Sequence, residues 1–376
     1  GASDLHLQPL ESSMEIRWRI DGALRHVGLF PSETSTNIVA RLKVLADLLT
    51  YRTDVPQEGR LRAPSIESGE VPAAASEVEM RISTFPTLHG ERAVVRLFPG
   101  AGRYRHLADL GYPPEILEQL LMLLQETAGA ILVTGPAGSG KTTSLYACLR
   151  HLAADSETPR NLVSLEDPIE VAVPGVAQAQ VNETVELDLE SGLRFLLRQD
   201  PEVVMVGEIR DRTTAQMSFQ ASLSGHLLLT SFHAGSACGA VSRLSDMGVE
   251  PYLLRSGALA ILSQRLVRKL CGCAEKTADA SDLLGLPVEN ALRPVGCEKC
   301  GGSGYRGRLV LAEILDPRSN QLGRAILSRA DADRLEEVAE SGGMITRWTR
   351  GCEAVNTGLT SPREIRRVLG FSRYGE

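Results

Sequence analysis

Aromatic residues are scarce in this chain. Phe, Tyr and Trp together make up 4% of 376 residues, so the core must be built mainly of Leu, Val, Ile and Ala. A basic excess is lacking too: 40 Lys and Arg against 47 Asp and Glu leave a formal charge of -7. A dedicated nucleic-acid binder usually shows the opposite balance, although a local basic patch stays compatible with it. No apolar run reaches the about 20 residues that cross a bilayer. The richest stretch, Ile116 to Val133, is broken by Glu118, Gln119, Gln125 and Glu126. A basic segment followed by an apolar run is absent from the start, so no secretory leader is expected. The chain opens Gly1-Ala2-Ser3-Asp4 without an initiator Met, and is expected to be a piece of something longer. Tandem repeats and low-complexity tracts are also missing. What is left, 43% hydrophobic and 23% charged, is an ordinary globular composition, long enough for two or three domains.

The first hundred residues read as α+β. Glu15 to Ile20 and Ala23 to Val27 alternate like strands around Asp21-Gly22, a two-residue hairpin signal. Ile38, Val39, Leu42, Leu45, Leu48 and Leu49 recur at helical spacing. Further strands are expected at Val78 to Ile82 and Ala93 to Leu97, joined through a turn at Gly90. Pro99-Gly100-Ala101-Gly102 reads as a linker. Beyond it the pattern changes. Ala130 to Thr134, Asn161 to Leu165, Val203 to Val206 and Leu227 to Ser231 are short apolar strands, separated by helical stretches such as Thr213 to Leu223. That alternation predicts a mostly parallel sheet covered on both faces.

Gly135-Pro136-Ala137-Gly138-Ser139-Gly140-Lys141-Thr142 matches the phosphate-loop pattern G-x-x-x-x-G-K-[ST] between a predicted strand and helix. Glycines let backbone N–H groups turn inward around phosphates, and the following helix offers its positive end. Lys141 would reach the β- and γ-phosphates and Thr142 would place its hydroxyl on magnesium, with Thr143 completing the nucleotide contacts. Downstream, Val203 to Gly207 is an apolar strand ending at Glu208, which would act on magnesium through water or on the attacking water itself. Ser164 to Glu170 carries three acids, Glu166, Asp167 and Glu170, at a strand end where a base or a magnesium group would stand. Gly225-His226 and His233 flank one buried strand and would sense the γ-phosphate or bridge neighbouring subunits.

These motifs in this order resemble the type II secretion and type IV pilus assembly ATPases of the secretion NTPase superfamily. The segments are the phosphate loop, an aspartate box (VSLEDPIE), a Walker B strand (RQDPEVVMVGEIRD) and a histidine box (GHLLLTSFHA). The likeness extends to Ala2-Ser3-Asp4-Leu5-His6-Leu7-Gln8-Pro9, Ile20-Asp21-Gly22, Pro56 to Arg60, Arg81 to Thr84, Leu88 to Glu91, Asp246 to Pro251 and Gln264-Arg265-Leu266. The resemblance implies a RecA-like P-loop NTPase domain over 104–376, preceded by a smaller α+β, PAS-like domain over 1–103. It also implies that Glu166 is the acid of the aspartate box, Glu208 the Walker B carboxylate, and His226 and His233 the histidine box. Arginines of the N-terminal domain would reach the phosphates, with Arg81 and Arg96 favoured over Arg17 and Arg19. ATP and magnesium would be the ligands. The working form would be a homo-hexamer, cytoplasmic and peripheral to the inner membrane, bound to an inner-membrane platform protein and a cytoplasmic docking protein. No nucleic-acid partner is expected.

Two features depart from that pattern. After His233 the chain reads Ala234-Gly235 where the family usually has Thr-Asn. Of the two cysteine pairs in the insert at 268–308, Cys297-Glu298-Lys299-Cys300 has the usual knuckle spacing, but Cys271-Gly272-Cys273 is one residue short. Four such thiolates would make a structural zinc site, closed to water. Cys148, Cys238 and Cys352 read as packing residues, and 316–376 as a polar helical tail. Rival readings are a RecA-like nucleic-acid motor and a nucleotide-binding assembly subunit that hydrolyses nothing. Retraction motors generally lack the cysteine insert.

Overall fold

The computed structural model describes residues 2–64, 77–98, 104–277 and 279–371. The chain divides into two compact units, Gly1–Gly102 and Arg103–Glu376. The stretch read as a linker, Pro99 to Gly102, lies outside the described residues.

The N-terminal unit is an antiparallel sheet with one helix. Its elements run β1 (Ala2–Pro9), β2 (Ser13–Ile20), β3 (Ala23–Pro31), α1 (Ser32–Leu45), β4 (Gln57–Pro64), β5 (Glu77–Thr87) and β6 (Gly90–Phe98). The strands lie in the order β3-β2-β1-β6-β5-β4. Asp21 and Gly22 both take positive φ, the conformation that a tight two-residue hairpin requires. Strand alternation sends Leu7, Ile82, Ala93 and Val95 to one face, where Ile38, Val39 and Leu42 of α1 cover them. The helix stops at Leu45, short of the apolar pattern that runs to Leu49. Asp47 turns left-handed there, and β4 crosses tightly against the helix end. A Cβ on Gly59 would stand 2.7 Å from the Ala46 carbonyl oxygen.

The C-terminal unit is α/β. Its first half runs α2 (Pro114–Leu123), β7 (Gly129–Thr134), α3 (Lys141–Ala153), β8 (Leu162–Glu166), β9 (Val176–Gln180), α4 (Leu189–Leu196), β10 (Val203–Val206) and α5 (Arg212–Leu223). Then follow β11 (Leu227–Phe232), α6 (Ala237–Asp246), α7 (Pro251–Gly257) and the long β12 (Ala258–Leu270). A small ribbon, β13 (Glu275–Lys276) and β14 (Leu292–Arg293), precedes β15 (Tyr305–Leu315), and the tail holds α8 (Asn320–Leu327), α9 (Ala332–Ser341), α10 (Arg347–Asn356) and α11 (Pro362–Leu369). The sheet order is β15-β12-β7-β11-β10-β8-β9, parallel except for β15. Alternation along β7 feeds two cores: Ala130 and Leu132 pack with α5 and α6 on one face, Ile131 and Val133 with α2 and α3 on the other. β12 and β15, which the hydrophobic pattern does not single out as strands, flank the cysteine loop.

The tail docks on this strand pair through a buried carboxylate. Glu364 of α11 is 0% exposed and accepts from the Arg268 backbone N–H at 2.9 Å, from Arg268 Nη2 at 2.7 Å and from Arg367 Nε at 2.8 Å. Arg268 also stacks over the Tyr305 ring at 4.0 Å, and the Tyr305 hydroxyl lies 2.6 Å from Ser361 Oγ. Burial alone pushes the Glu364 carboxyl up, but the bonds from Arg367 and Arg268 outweigh it and hold it below its ordinary value of 4.5. A lowered folded value means that the unfolded chain binds the proton more readily. The contribution is therefore complete above pH 4.5 and is lost as pH falls through the lowered value. Glu364→Gln should cost about 3 kcal/mol at neutral pH, with the deficit shrinking in acid below that range. Urea unfolding of both proteins at neutral and acid pH checks it; a deficit of the same size at both would mean that the ion pairs contribute nothing.

Candidate functional site

Gly135, Gly138 and Gly140 all take positive φ at the end of β7, which wraps the loop back on itself before α3 begins at Lys141. The wrap is tight: a Cβ on Gly135 would stand 2.6 Å from the Gln264 carbonyl oxygen. Gln264 Nε2 in turn donates to the Ser139 carbonyl at 2.8 Å, and its Oε1 accepts from Ser144 Oγ at 3.0 Å and from the Tyr112 hydroxyl. The loop is thus fixed from β12. Pro136, Ala137 and Thr143 lie on its exposed side, and Thr142 is half-buried in the first helical turn.

Lys141 folds over this loop, with Nζ 3.0 Å from the Gly135 carbonyl and 3.2 Å from that of Pro136. Its third neighbour is His233 Nδ1 at 3.4 Å, and His233 Nε2 stands 2.6 Å from Glu208 Oε1, outside hydrogen-bond alignment. Arg210 Nε donates to Glu208 Oε2 at 3.0 Å and Arg210 Nη1 to Asp167 at 2.8 Å. Burial lowers the pKa of Lys141, while the carboxylates of Glu208 and Glu170 act to raise it and Arg265 to lower it. Lys141, His233, Glu208 and Arg210 therefore form one chain of polar contacts at the carboxyl edge of the sheet. Ser139 Oγ and Glu208 Oε1 are buried there without a hydrogen-bond partner among the described residues. Orphan polar atoms beside inward glycines, a lysine and a helix N-terminus fit a phosphate with a hydrated divalent cation.

Glu166 sits differently. It is 3% exposed, and both of its oxygens are taken: Oε1 by Ser164 Oγ at 2.6 Å and Gln178 Nε2 at 2.9 Å, Oε2 by the Tyr146 hydroxyl. Tyr146 in turn accepts from the Glu170 backbone N–H at 3.0 Å. The buried acid thus anchors α3 to the loop that carries Glu170, whose side chain is half-buried.

His226 lies at the other end of β11. Its Nδ1 is 3.0 Å from the Ala221 carbonyl and 3.2 Å from Ser224 Oγ. Six strand residues lie between it and His233, which puts the two about 23 Å apart at the usual rise, so within one chain only His233 reaches the loop. Arg81 and Arg96 stand opposite each other on β5 and β6, on the face away from α1. The same row takes in Arg60, Asp4 and Arg19. Arg96 Nε pairs with Asp4 at 3.0 Å, Arg19 Nε with Asp4 at 3.5 Å, Arg81 with Glu58, and Arg17 with Glu15.

The sequence motifs did not point to Arg210, Tyr146, Gln178 or Tyr112. Arg210 had a usable signal, since it follows Glu208 by two residues. The others act across strands and left none.

A strand, an inward-turning glycine loop and a helix with lysine at its start define a phosphate-binding α/β domain. The chain belongs to the family described as type II/IV secretion system protein, whose model it matches over residues 1–367. It is 41% identical over 370 residues to the type II secretion system protein HxcR of Pseudomonas aeruginosa, covering 98% of this chain and 74% of that one. It is 42% identical over 376 residues to the type II secretion system ATPase E of Vibrio cholerae, covering 98% and 72%. With the type IV pilus assembly ATPase TfpB of Acinetobacter baylyi it shares 38% over 379 residues, covering 98% and 63%. The fold is also that of the Legionella pneumophila ATPase DotB, with a TM-score of 0.69 at 18% identity over 97% of this chain and 91% of that one. The ADP-bound pilus retraction motor PilT gives 0.62 at 22%, over 98% and 93%.

A second cluster lies in the insert. The sulfurs of Cys271, Cys273, Cys297 and Cys300 all lie within 4.8 Å of one another. Cys271 to Cys297 is 3.8 Å, Cys297 to Cys300 3.8 Å and Cys273 to Cys300 4.0 Å. Sulfurs at tetrahedral corners around zinc, with bonds of about 2.3 Å, stand about 3.8 Å apart. The short Cys271-Gly272-Cys273 pair therefore still fits. Backbone N–H groups of Cys297 and Gly304 point at Cys300 Sγ at 3.1 and 3.2 Å, which suits a thiolate. Purified protein should carry stoichiometric zinc by elemental mass spectrometry, and Cys297→Ser should lose most of it. Metal-free wild-type protein with an unchanged melting temperature would sink this assignment.

Proposed function

We propose that this chain is an ATP-hydrolysing motor subunit that powers type II protein secretion or type IV pilus assembly. The observation that carries the reading is the convergence of Lys141, His233 and Glu208 on the glycine loop. Family membership supplies the secretion context. On this reading the C-terminal unit is RecA-like and the N-terminal unit PAS-like. The subunits form a homo-hexamer at the cytoplasmic face of the inner membrane, engaging a platform protein and a docking protein. Arg81 and Arg96 reach the nucleotide, and His226 serves a subunit boundary.

Lys141 and the N–H groups of the loop would offset phosphate charge, and Thr142 and Glu208 would hold magnesium, Glu208 through water. The metal, when bound, would neutralise charge on the β- and γ-phosphates. His233 holds the Glu208 carboxylate in place. Glu166, the aspartate-box acid, has its oxygens held by Ser164, Gln178 and the Tyr146 hydroxyl, and Glu170 on the same loop is the second candidate for the attacking water. Glu166 acts through Tyr146 to fix the Glu170 backbone. Zinc in the four-cysteine cluster serves structure.

Lys141→Ala, Glu208→Gln and Glu170→Gln should each lower magnesium-dependent ATP turnover by about 100-fold or more. Glu166→Gln should instead cost stability, about 1–3 kcal/mol, because it puts a donor where three donors already converge. Added DNA should leave the rate unchanged. Strong stimulation by DNA would favour a nucleic-acid motor, and a silent wild type would favour a binding subunit.

A further inference from the structure

The loop that carries His233 has little of its own to hold it. Ala234 and Gly235 offer no side-chain polar atom. A Cβ on Gly235 would meet nothing within 4 Å, so its conformation is not fixed by crowding. Glycine also has the most backbone freedom to lose. Instead, three guanidinium groups grip the loop's carbonyls from outside. Arg243 Nη1 of α6 donates to the His233 carbonyl at 2.6 Å. Arg265 Nη2 of β12 donates to the Gly235 carbonyl at 2.8 Å, and Arg347 Nη1 of α10 to the same oxygen at 2.7 Å.

Arg347 is the one that comes from the C-terminal tail, and it is held by Glu313 of β15. Glu313 is 1% exposed. Its Oε1 accepts from the Ala237 backbone N–H at 2.9 Å, its Oε2 from the Arg347 backbone N–H at 3.0 Å, and Arg347 Nε stands 3.0 Å from Oε1. Ala237 opens α6 and Arg347 opens α10. One buried carboxylate thus caps two helix N-termini, where unpaired N–H groups and the helix dipoles favour negative charge. The first of those helices leaves directly from the His233 loop.

We infer that Arg347, seated by Glu313, is a positioning residue for His233, so that docking of the C-terminal tail sets the catalytic geometry at Lys141 and Glu208. This rests on reading that site as the ATP site. Undocking α10 takes away one of the two guanidinium donors on the Gly235 carbonyl and leaves Arg265 alone there, which loosens His233 against Glu208 and slows turnover but leaves the phosphate loop, and so nucleotide binding, intact.

The test compares wild type, Arg347→Ala, Arg347→Lys and His233→Ala in the full chain, with Arg347→Ala also made in the His233→Ala background. Turnover is measured alongside the Kd for a fluorescent ADP analogue. Arg347→Ala should lose about tenfold or more in kcat, an effect of the size seen when a positioning contact is misplaced, while Kd moves less than about threefold. Arg347→Lys, which keeps charge but not the two-armed reach, should recover only part of the rate. In the His233→Ala background the Arg347 change should cost nothing further, as expected of residues acting as one unit. Guanidinium at low millimolar concentration should restore part of the Arg347→Ala rate where sodium chloride does not. Additive losses, or a Kd that weakens in step with kcat in both Arg347 variants, would overturn the inference. If Lys141→Ala and Glu208→Gln leave hydrolysis untouched, the site reading itself fails, whatever Arg347 does.

Discussion

Parallel pairing is the constraint on which the site depends. Parallel strands must be joined by crossovers, so their carboxyl ends all come to the same sheet edge. Here Phe232 lies beside Thr134, Thr230 beside Val206, and Leu165 beside Val206. Each of these strands then runs off that edge into a segment of the candidate site: the glycine loop, His233, Glu208 and the acids of 166–170. No local feature brings these segments together, since they span a hundred residues of chain. The pairing does, and the alternation of buried apolar residues along β7 locks its register by filling two separate cores.

The second theme is the buried carboxylate. Glu166, Glu313 and Glu364 are nearly inaccessible; Glu166 and Glu364 each accept from three or more donors, and Glu313 accepts from two backbone N–H groups with Arg347 Nε beside it. A buried charge without partners would neutralise itself or unfold its surroundings. With partners it becomes a junction. Glu166 joins β8, β9 and α3; Glu313 joins β15, α6 and α10; Glu364 joins α11 to β12. An apolar residue of similar size could fill each space, and such replacements are often no less stable. It could not specify which elements must meet.

Much of this was legible in the sequence. The hairpin at Asp21-Gly22, the four apolar strands β7, β8, β10 and β11, and the glycine loop carry local signals strong enough to place them. The long pair β12 and β15 was not, because Gln264, Arg265, Arg268 and Glu313 interrupt its apolar residues with groups whose purpose is tertiary. The end of α1 was missed for a similar reason: periodicity extends to Leu49, but the crossing of β4 at Gly59 decides where the helix stops. At the site, motif position marked Glu166 and His226 as readily as Glu208 and His233. Position in a motif records neighbours in sequence. It does not record that Glu166 turns inward to Tyr146 or that His226 is a strand's length away.

β12 shows how such polar interruptions work. Gln264 and Arg265 are adjacent, so strand geometry sends them to opposite faces of the sheet. Gln264 reaches one way to hold the Ser139 carbonyl of the glycine loop, and Arg265 the other way to hold the Gly235 carbonyl beyond His233. Two loops from different parts of the chain are thereby fixed relative to one dipeptide. A shift of β12 by one residue would exchange the two side chains and release both loops. The antiparallel partner opposes such a shift, since Leu311 and Ala312 stand opposite Arg265 and Gln264, with Glu313 opposite Ser263. The outer strand pair therefore does for the site what the apolar core does for the sheet: it fixes the register in which the charged groups meet.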